Sequence, residues 1–285
     1  MRERRRALAK LNLYLHVLGR RADGYHRLDS LVAFAEVGDE IIAQHAAALS
    51  LEVTGPAAGA LGEAPRDNLV WRAAELLAAQ AKRDAAAALT LVKNLPVASG
   101  IGGGSSDAAA TLHALAQLWR LAIGADELAA LGARLGADVP VCLFGRAAWV
   151  GGIGEQIEAA PDLPETAVLL VNPGVALATP KVFVARQGAF SAPARFAERP
   201  ANAARLAALL AERRNDLTDA ALALCPAIAT VLERLVRLEG ALIARMSGSG
   251  ATCFALFASL EEAQAAGQRL RAERGEWWIA AARLI

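Results

Sequence analysis

The chain has 285 residues, 55% of them hydrophobic and 21% charged, with a formal net charge of +1. The composition excludes a disordered or fibrous chain, and the length suits two compact domains or one large one. A charge this close to zero argues against a surface built for nucleic acid or an anionic membrane.

Roughly a quarter of the residues are alanine, so much of the apolar character is short methyl groups on helices. Residues 1–21 imitate a secretion signal, with a basic head and an apolar run. Lys10, Asn12 and His16 interrupt that run and no small-residue cleavage site follows, so the segment reads as part of the fold. LNLYLHVL (11–18) alternates with period two and predicts a strand. LVAFAEV (31–37) and DEIIAQ (39–44) predict two more, separated by a turn. LSLEV (49–53) and ALTLVKN (88–94) are further strands. Between them DNLVWRAAELLAAQAKR (67–83) opens on an Asp/Asn cap and continues at helical spacing. Helices follow at 105–121 and 126–136, then strands at 147–158 and 167–173. After residue 200 helices dominate, at 203–214, 216–224 and 228–238. GALIARMSGSGATCFALF (240–257) reads as strand, glycine turn, strand. A helix at 259–274 and a strand at 277–285 close the chain. Strands and helices mix without strict alternation, which makes the fold α+β rather than a doubly wound parallel sheet. The glycine-rich VGGIG stretch places a domain boundary near residue 152, giving domains 1–152 and 153–285. The three cysteines form no CxxC pair and no zinc spacing, which predicts reduced thiols in an intracellular, cytoplasmic protein.

The most informative segment is PVASGIGGGSSDA (96–108), which follows a strand and leads into a helix. Gly100, Gly102, Gly103 and Gly104 permit positive φ and close approach of a ligand. Ser105, Ser106 and Asp107 read as caps and hydroxyls at the helix start, where unpaired N–H groups make an anion site. No Lys completes a Walker pattern. Ser105 replaces the third glycine of a dinucleotide fingerprint, and no acidic residue follows to hold a ribose. An ordinary serine-capped glycine turn would use the same residues. Ser247, Gly248, Ser249 and Gly250 form a second glycine turn, which a hairpin explains equally well. Lys10, Asn12 and His16 share one parity of their strand and can face one side; a lysine there is also a common solvated edge charge.

Taken together, PVASGIGGGSSDAA (96–109), SGSGA (247–251) and AKLNLYLHVLGRRADGYHRLDS (9–30) resemble the GHMP kinase superfamily. The DGYH element, with GADVP (136–140) and PGVALATPKVF (173–183), is similar to its branch acting on a cytidine-diphosphate-linked methylerythritol in non-mevalonate isoprenoid precursor synthesis. The resemblance implies two domains, the N-terminal one ribosomal protein S5 domain 2-like and the C-terminal one ferredoxin-like, with the active site in the cleft between them. It implies transfer of the γ-phosphoryl group of ATP, carried with Mg²⁺, to the acceptor's 2-hydroxyl, with no tightly bound organic cofactor, small-molecule substrates as partners and neither nucleic acid nor membrane. Asp138 would be the general base and Lys10 the cation beside it. Asn12 and Thr179 would hold the acceptor. Tyr25 and Phe183 would sandwich the pyrimidine and His26 would read its edge. The phosphates would lie on residues 100–106, with Pro96 at the loop's start. Asn68 and Lys93 would approach the adenine, and Ser106 is a candidate Mg²⁺ ligand.

From spacing alone Asp138 reads better as a turn or N-cap residue, Asn68 nearly as well as an N-cap, and Tyr25 and Phe183 also as core. Ser30 stands where Thr is common and Asp107 where Asn is often seen. Residues 186–215 have no obvious counterpart in the family. A homoserine or mevalonate kinase is the alternative within the superfamily, and the DGYH turn argues against it. A non-catalytic nucleotide-binding sensor of the same fold is the alternative from another functional class, and the presence of both Lys10 and Asp138 argues against that.

Overall fold

The computed structural model describes residues 2–62 and 64–285. The chain divides into two compact units: Met1–Ala9, Gly38–Val97 and Gly102–Gly145 form the first, and Lys10–Val37, Ala98–Ile101 and Arg146–Ile285 the second. A single cut near residue 152 therefore does not describe it. Two long strands, β1 (Arg2–Arg20) and β2 (His26–His45), contribute residues to both units. The sequence predicts a turn near Gly38 that would split β2, but the strand continues through it. A Cβ at Gly38 would lie 2.2 Å from the Ala7 carbonyl oxygen, so glycine serves close backbone approach here rather than a turn.

In the first unit β3 (Ser50–Thr54) runs parallel to β4 (Ala87–Val92), with α1 (Leu69–Gln80) as the crossover. β4 pairs antiparallel with the second half of β2, from Glu40 opposite Val92 to His45 opposite Ala87. Asn68 caps α1 by accepting the Val70 N–H at 2.9 Å. Helices α2 (Gly103–Leu118), α3 (Ala125–Leu135) and the short α4 (Val139–Phe144) complete the unit. Its core joins Val70, Ala74 and Leu77 of α1 to Leu112 and Leu115 of α2 and to Leu89 and Leu91 of β4. Ala73, Ala74, Ala108 and Ala109 belong to the same core, which gives the alanine richness a use: methyl-sized side chains let packed helices approach closely.

In the second unit β5 (Ala148–Gly152) pairs with β6 (Gln156–Ala159) and with the first half of β2. β7 (Thr166–Asn172) is followed by α5 (Thr179–Ala185), α6 (Ala203–Ala211), α7 (Thr218–Leu224) and α8 (Ala227–Val236). Then come β8 (Ile243–Met246), β9 (Cys253–Phe257), α9 (Leu260–Glu273) and β10 (Trp278–Leu284). The strand order is β10-β7-β9-β8 with every neighbouring pair antiparallel. That is the β-α-β-β-α-β pattern of a ferredoxin-like domain, as the resemblance implies. The core gathers Leu169 and Val171 of β7, Phe257 of β9, Val231 and Leu235 of α8, and Leu270 of α9. All three cysteines are free thiols, and burial pushes the Cys253 thiol up. Among the described residues no helix is long and apolar enough to cross a membrane.

Candidate active site

Residues 9–17 of β1 are buried on both faces of the strand. Its odd-numbered face is aliphatic and its even-numbered face carries Lys10, Asn12, Tyr14 and His16. Lys10 is only 3% exposed, which overturns the solvated-edge reading. A buried ammonium needs partners: Lys10 Nζ donates to Asn12 Oδ1 at 2.9 Å. Asn12 Nδ2 donates to Ser30 Oγ at 2.8 Å, and Ser30 Oγ donates to the Tyr14 carbonyl at 2.6 Å. The relay fixes which way the Asn12 amide points, with its oxygen toward the lysine. The Ser30 hydroxyl thus does what a threonine hydroxyl there could do.

Also within the second unit, the glycine segment and the second glycine turn meet. Gly100 has φ +75°, and a Cβ there would sit 2.5 Å from the Gly250 carbonyl oxygen. A Cβ on Gly248 (φ +54°) would sit 2.7 Å from the Gly100 oxygen. Ser247 Oγ donates to the Gly100 carbonyl at 3.2 Å and accepts the Asn12 N–H at 3.1 Å. Thr252 N–H donates to the Ser99 carbonyl at 3.0 Å, and the hydroxyls of Thr179 and Ser249 share a hydrogen bond of 2.7 Å. The second turn does join β8 to β9 as a hairpin would. Gly248 is required by the approach of Gly100, which a simple hairpin does not explain.

In the first unit α2 is capped by Gly102, at φ +65° and with no side-chain cap. Ser105, Ser106 and Asp107 lie inside the helix rather than capping it. The first-turn N–H groups of Gly103, Gly104 and Ser105 therefore have no capping side chain, the arrangement that suits an incoming phosphate. Ser106 Oγ donates to the Leu8 carbonyl at 2.7 Å, lies 3.3 Å from Cys142 Sγ and is 3% exposed. Its hydroxyl is turned into the protein, against the expected Mg²⁺ ligation.

Lys93 departs furthest from expectation. It is 2% exposed and does not reach out to an adenine. Its Nζ pairs with Asp39 Oδ2 at 2.5 Å and Asp107 Oδ2 at 2.7 Å. Asp39 Oδ1 accepts the N–H groups of Asn94 and Leu95 at 2.6 and 2.8 Å. Gly103 lies over the ammonium, where a Cβ would be 3.2 Å from Nζ. Burial pulls Lys93 down, but the Asp107 and Asp39 carboxylates outweigh it and hold the lysine above its usual range. Burial pushes Asp107 up to about 7; Lys93 opposes the rise and Asp39 adds to it. The folded protein therefore binds a proton on Asp107 in the window from the ordinary carboxylate value of 3.8 up to about 7. Stability falls as pH rises through that window. The Asp107→Asn variant, which lacks this titration, should gain melting temperature over the parent at pH 8 and lose that advantage by pH 5. An equal difference at both pH values would refute the assignment.

Asp138 stands directly before α4, with Pro140 in that helix's first turn, and is half-buried. Its side chain does not cap the helix, so the turn reading explains its position but not its carboxylate. Asn68 keeps its Oδ1 on α1, as the cap reading has it. Tyr25 is 60% exposed and is not core. His26 stacks on Phe183 with centroids 5.3 Å apart and planes at 24°. Burial, then the charges of Arg20 and Arg186, hold the His26 imidazole below its usual range, which favours its neutral form.

Several residues around this constellation escape a sequence reading. Asp29 accepts from Tyr14 Oη at 2.9 Å and from the Ala194 N–H at 2.7 Å, and pairs with Arg195 at 3.2 Å. His16 Nδ1 donates to the Ala192 carbonyl and its Nε2 accepts the Arg214 N–H. Through His16 these bonds attach residues 192 and 214 to β1, the strand that carries Lys10 and Asn12, and through Asp29 they attach residues 194 and 195 to β2. The one available signal was the run of polar residues at even positions of β1.

Residues 68–146 match the family described as GHMP kinases N terminal domain, and residues 193–276 the family described as GHMP kinases C terminal. The chain is 54% identical over 279 residues to a 4-diphosphocytidyl-2-C-methyl-D-erythritol kinase of Rhodospirillum rubrum, covering 98% of this chain and 91% of the relative. It is 53% identical to the kinase of the same name from Cereibacter sphaeroides, covering 98% of each. A crystal structure of 4-(cytidine 5'-diphospho)-2C-methyl-D-erythritol kinase superposes with a TM-score of 0.81 at 34% identity, covering 99% of this chain and 98% of that one. Homoserine kinase from Cytophaga hutchinsonii shares the fold, with a TM-score of 0.72 at 18% identity over 99% of this chain and 94% of that one. The buried Lys10–Asn12 pair, the two apposed glycine turns and these likenesses agree: the chain belongs to the GHMP kinase family, in the branch of the 4-diphosphocytidyl-2-C-methyl-D-erythritol kinases.

Proposed function

We propose that this kinase transfers the γ-phosphoryl group of ATP to the 2-hydroxyl of 4-diphosphocytidyl-2-C-methyl-D-erythritol, giving the 2-phosphate and ADP. The observation that carries the reading is the identity of 54% to a relative of that name, extending over 98% of the chain. The exposed Tyr25 beside the His26–Phe183 stack supports a planar base as part of the acceptor. Homoserine and mevalonate have no such base for these rings to hold.

Phosphoryl transfer needs a positioned nucleophile, neutralised charge and an in-line path. Asp138 accepts the proton of the acceptor hydroxyl. Lys10, its orientation set by Asn12, stabilises charge on the attacking and transferred oxygens. Asn12 and Thr179 hold the acceptor. The segment around Gly100, backed by Ser247–Gly250, receives the phosphates together with the amides that open α2. Mg²⁺ carried by ATP would supply further neutralisation of the phosphate charge. Among the described residues no group of three His, Cys, Asp or Glu could hold a metal, and Ser106 faces Leu8. The three free thiols support a reducing, cytoplasmic setting.

ADP release with ATP, Mg²⁺ and 4-diphosphocytidyl-2-C-methylerythritol tests the reading. Turnover with homoserine or mevalonate but not with the cytidine compound would sink it. Tyr25→Ala should raise KM for the cytidine acceptor about tenfold, the scale of one lost stacking contact, and leave KM for ATP nearly unchanged. Equal weakening of both would instead mark a folding defect.

A further inference from the structure

We propose that Asn215 is a positioning residue for phosphoryl transfer, holding the second glycine turn so that Ser247 keeps the acceptor strand and the phosphate segment in register. The inference rests on the reading above, in which Lys10 and Asn12 serve the acceptor and Gly100 serves ATP.

Asn215 lies between α6 and α7 and is 5% exposed. Its backbone is fixed to β1 in a parallel bridge with Leu15. Leu15 N–H donates to the Arg214 carbonyl at 3.0 Å, and Asp216 N–H donates to the Leu15 carbonyl at 2.8 Å. The side chain then reaches the glycine turn. Nδ2 donates to the Met246 carbonyl at 2.9 Å and to the Gly248 carbonyl at 2.8 Å, while Oδ1 accepts the Leu217 N–H at 3.0 Å. Those two carbonyls flank Ser247. Both hydrogens of one amide group are used on the two sides of a single residue, and a carboxylate could supply neither.

Ser247 is the keystone of the contact. Its hydroxyl accepts from the backbone of Asn12 and donates to the carbonyl of Gly100. Gly248 leaves no space for slack, since a Cβ there would stand 3.3 Å from Asn12 Oδ1 and 2.7 Å from the Gly100 oxygen. Arg245 braces the same corner: its guanidinium donates to the carbonyls of Leu13, Leu210 and Arg213 at 2.7, 2.9 and 2.6 Å. Misplacing reacting groups by about an ångström can cost on the order of 10²-fold in rate without loss of binding. Asn215 thus acts on kcat, through Ser247, and touches neither substrate.

The test is a double-mutant cycle in the full chain. Asn215→Asp should lower kcat about ten- to a hundredfold, with KM for ATP and for the acceptor within about threefold of the parent. Ser247→Ala should show a similar kcat loss, and Ser247→Thr, which keeps the hydroxyl, should recover most of it. The double variant Asn215→Asp/Ser247→Ala should be no slower than its worse single, because both act on one contact. Asn215→Gln, with the same amide at a different reach, replaces the Asp variant in the cycle if that variant does not fold. Multiplying losses, or a raised KM with kcat unchanged, would overturn the proposal. All rates are taken relative to the parent on whichever alcohol it phosphorylates. A wrong acceptor therefore shows in the parent and a wrong role for Asn215 shows only in the variants.

Discussion

Asp138→Asn should yield a folded protein whose kcat is lower by at least about 10²-fold and whose affinity for ATP is nearly unchanged. The substitution keeps shape and volume, so Pro140 and the start of α4 should be undisturbed. The native carboxylate does not cap that helix, and its removal therefore takes no cap away. What it removes is the group able to accept the hydroxyl proton as the phosphoryl group moves. Single-turnover rates and direct ATP binding separate the two effects. Activity within about threefold of the parent would return Asp138 to the role of a turn residue.

Lys93→Met should cost about 3–5 kcal/mol of stability at pH 8, the range for removing one partner of a buried ion pair. Methionine fills the space of the lysine stem but leaves Asp39 and Asp107 facing each other without a cation. Both carboxylates are nearly inaccessible, with side-chain exposures of 0% and 4%. The loss should shrink toward pH 5, where protonation relieves their repulsion. Denaturant unfolding at the two pH values measures it. A nucleotide-binding lysine would behave otherwise, raising KM for ATP while leaving stability alone. Parental stability in the variant would therefore dismiss the buried triad as a structural element.

What local patterning could reveal, it revealed. Helix caps are short-range hydrogen bonds, and Asn68 caps α1 as its position before an apolar run predicts. Period-two alternation located β1 but not its extent. The basic head belongs to the strand, with Arg4 paired to Glu40 at 2.8 Å, because arginines on an exposed strand face look the same as a charged leader. Gly38 misled for a related reason: a glycine that turns the chain and a glycine that admits a neighbouring backbone are the same letter.

The site divides along the same line. Residue types and spacing singled out the glycines at 100–104, because anion binding by bare amides needs glycine, whereas Lys10, Asn12 and the second turn at 247–250 gained their reading from the family resemblance. The sequence by itself determined the class of chemistry and the α+β architecture, and it nominated the candidate site residues. Only the tertiary structure decided what each polar group does. Lys93 is expected at the adenine until Asp39, 54 residues away, is brought to its ammonium. Asn215 is an unremarkable loop residue until its amide meets two carbonyls more than 30 positions on. A hydrogen bond or an ion pair depends on distances of about 3 Å, and contacts so far apart along the chain exist only once the fold has closed around them.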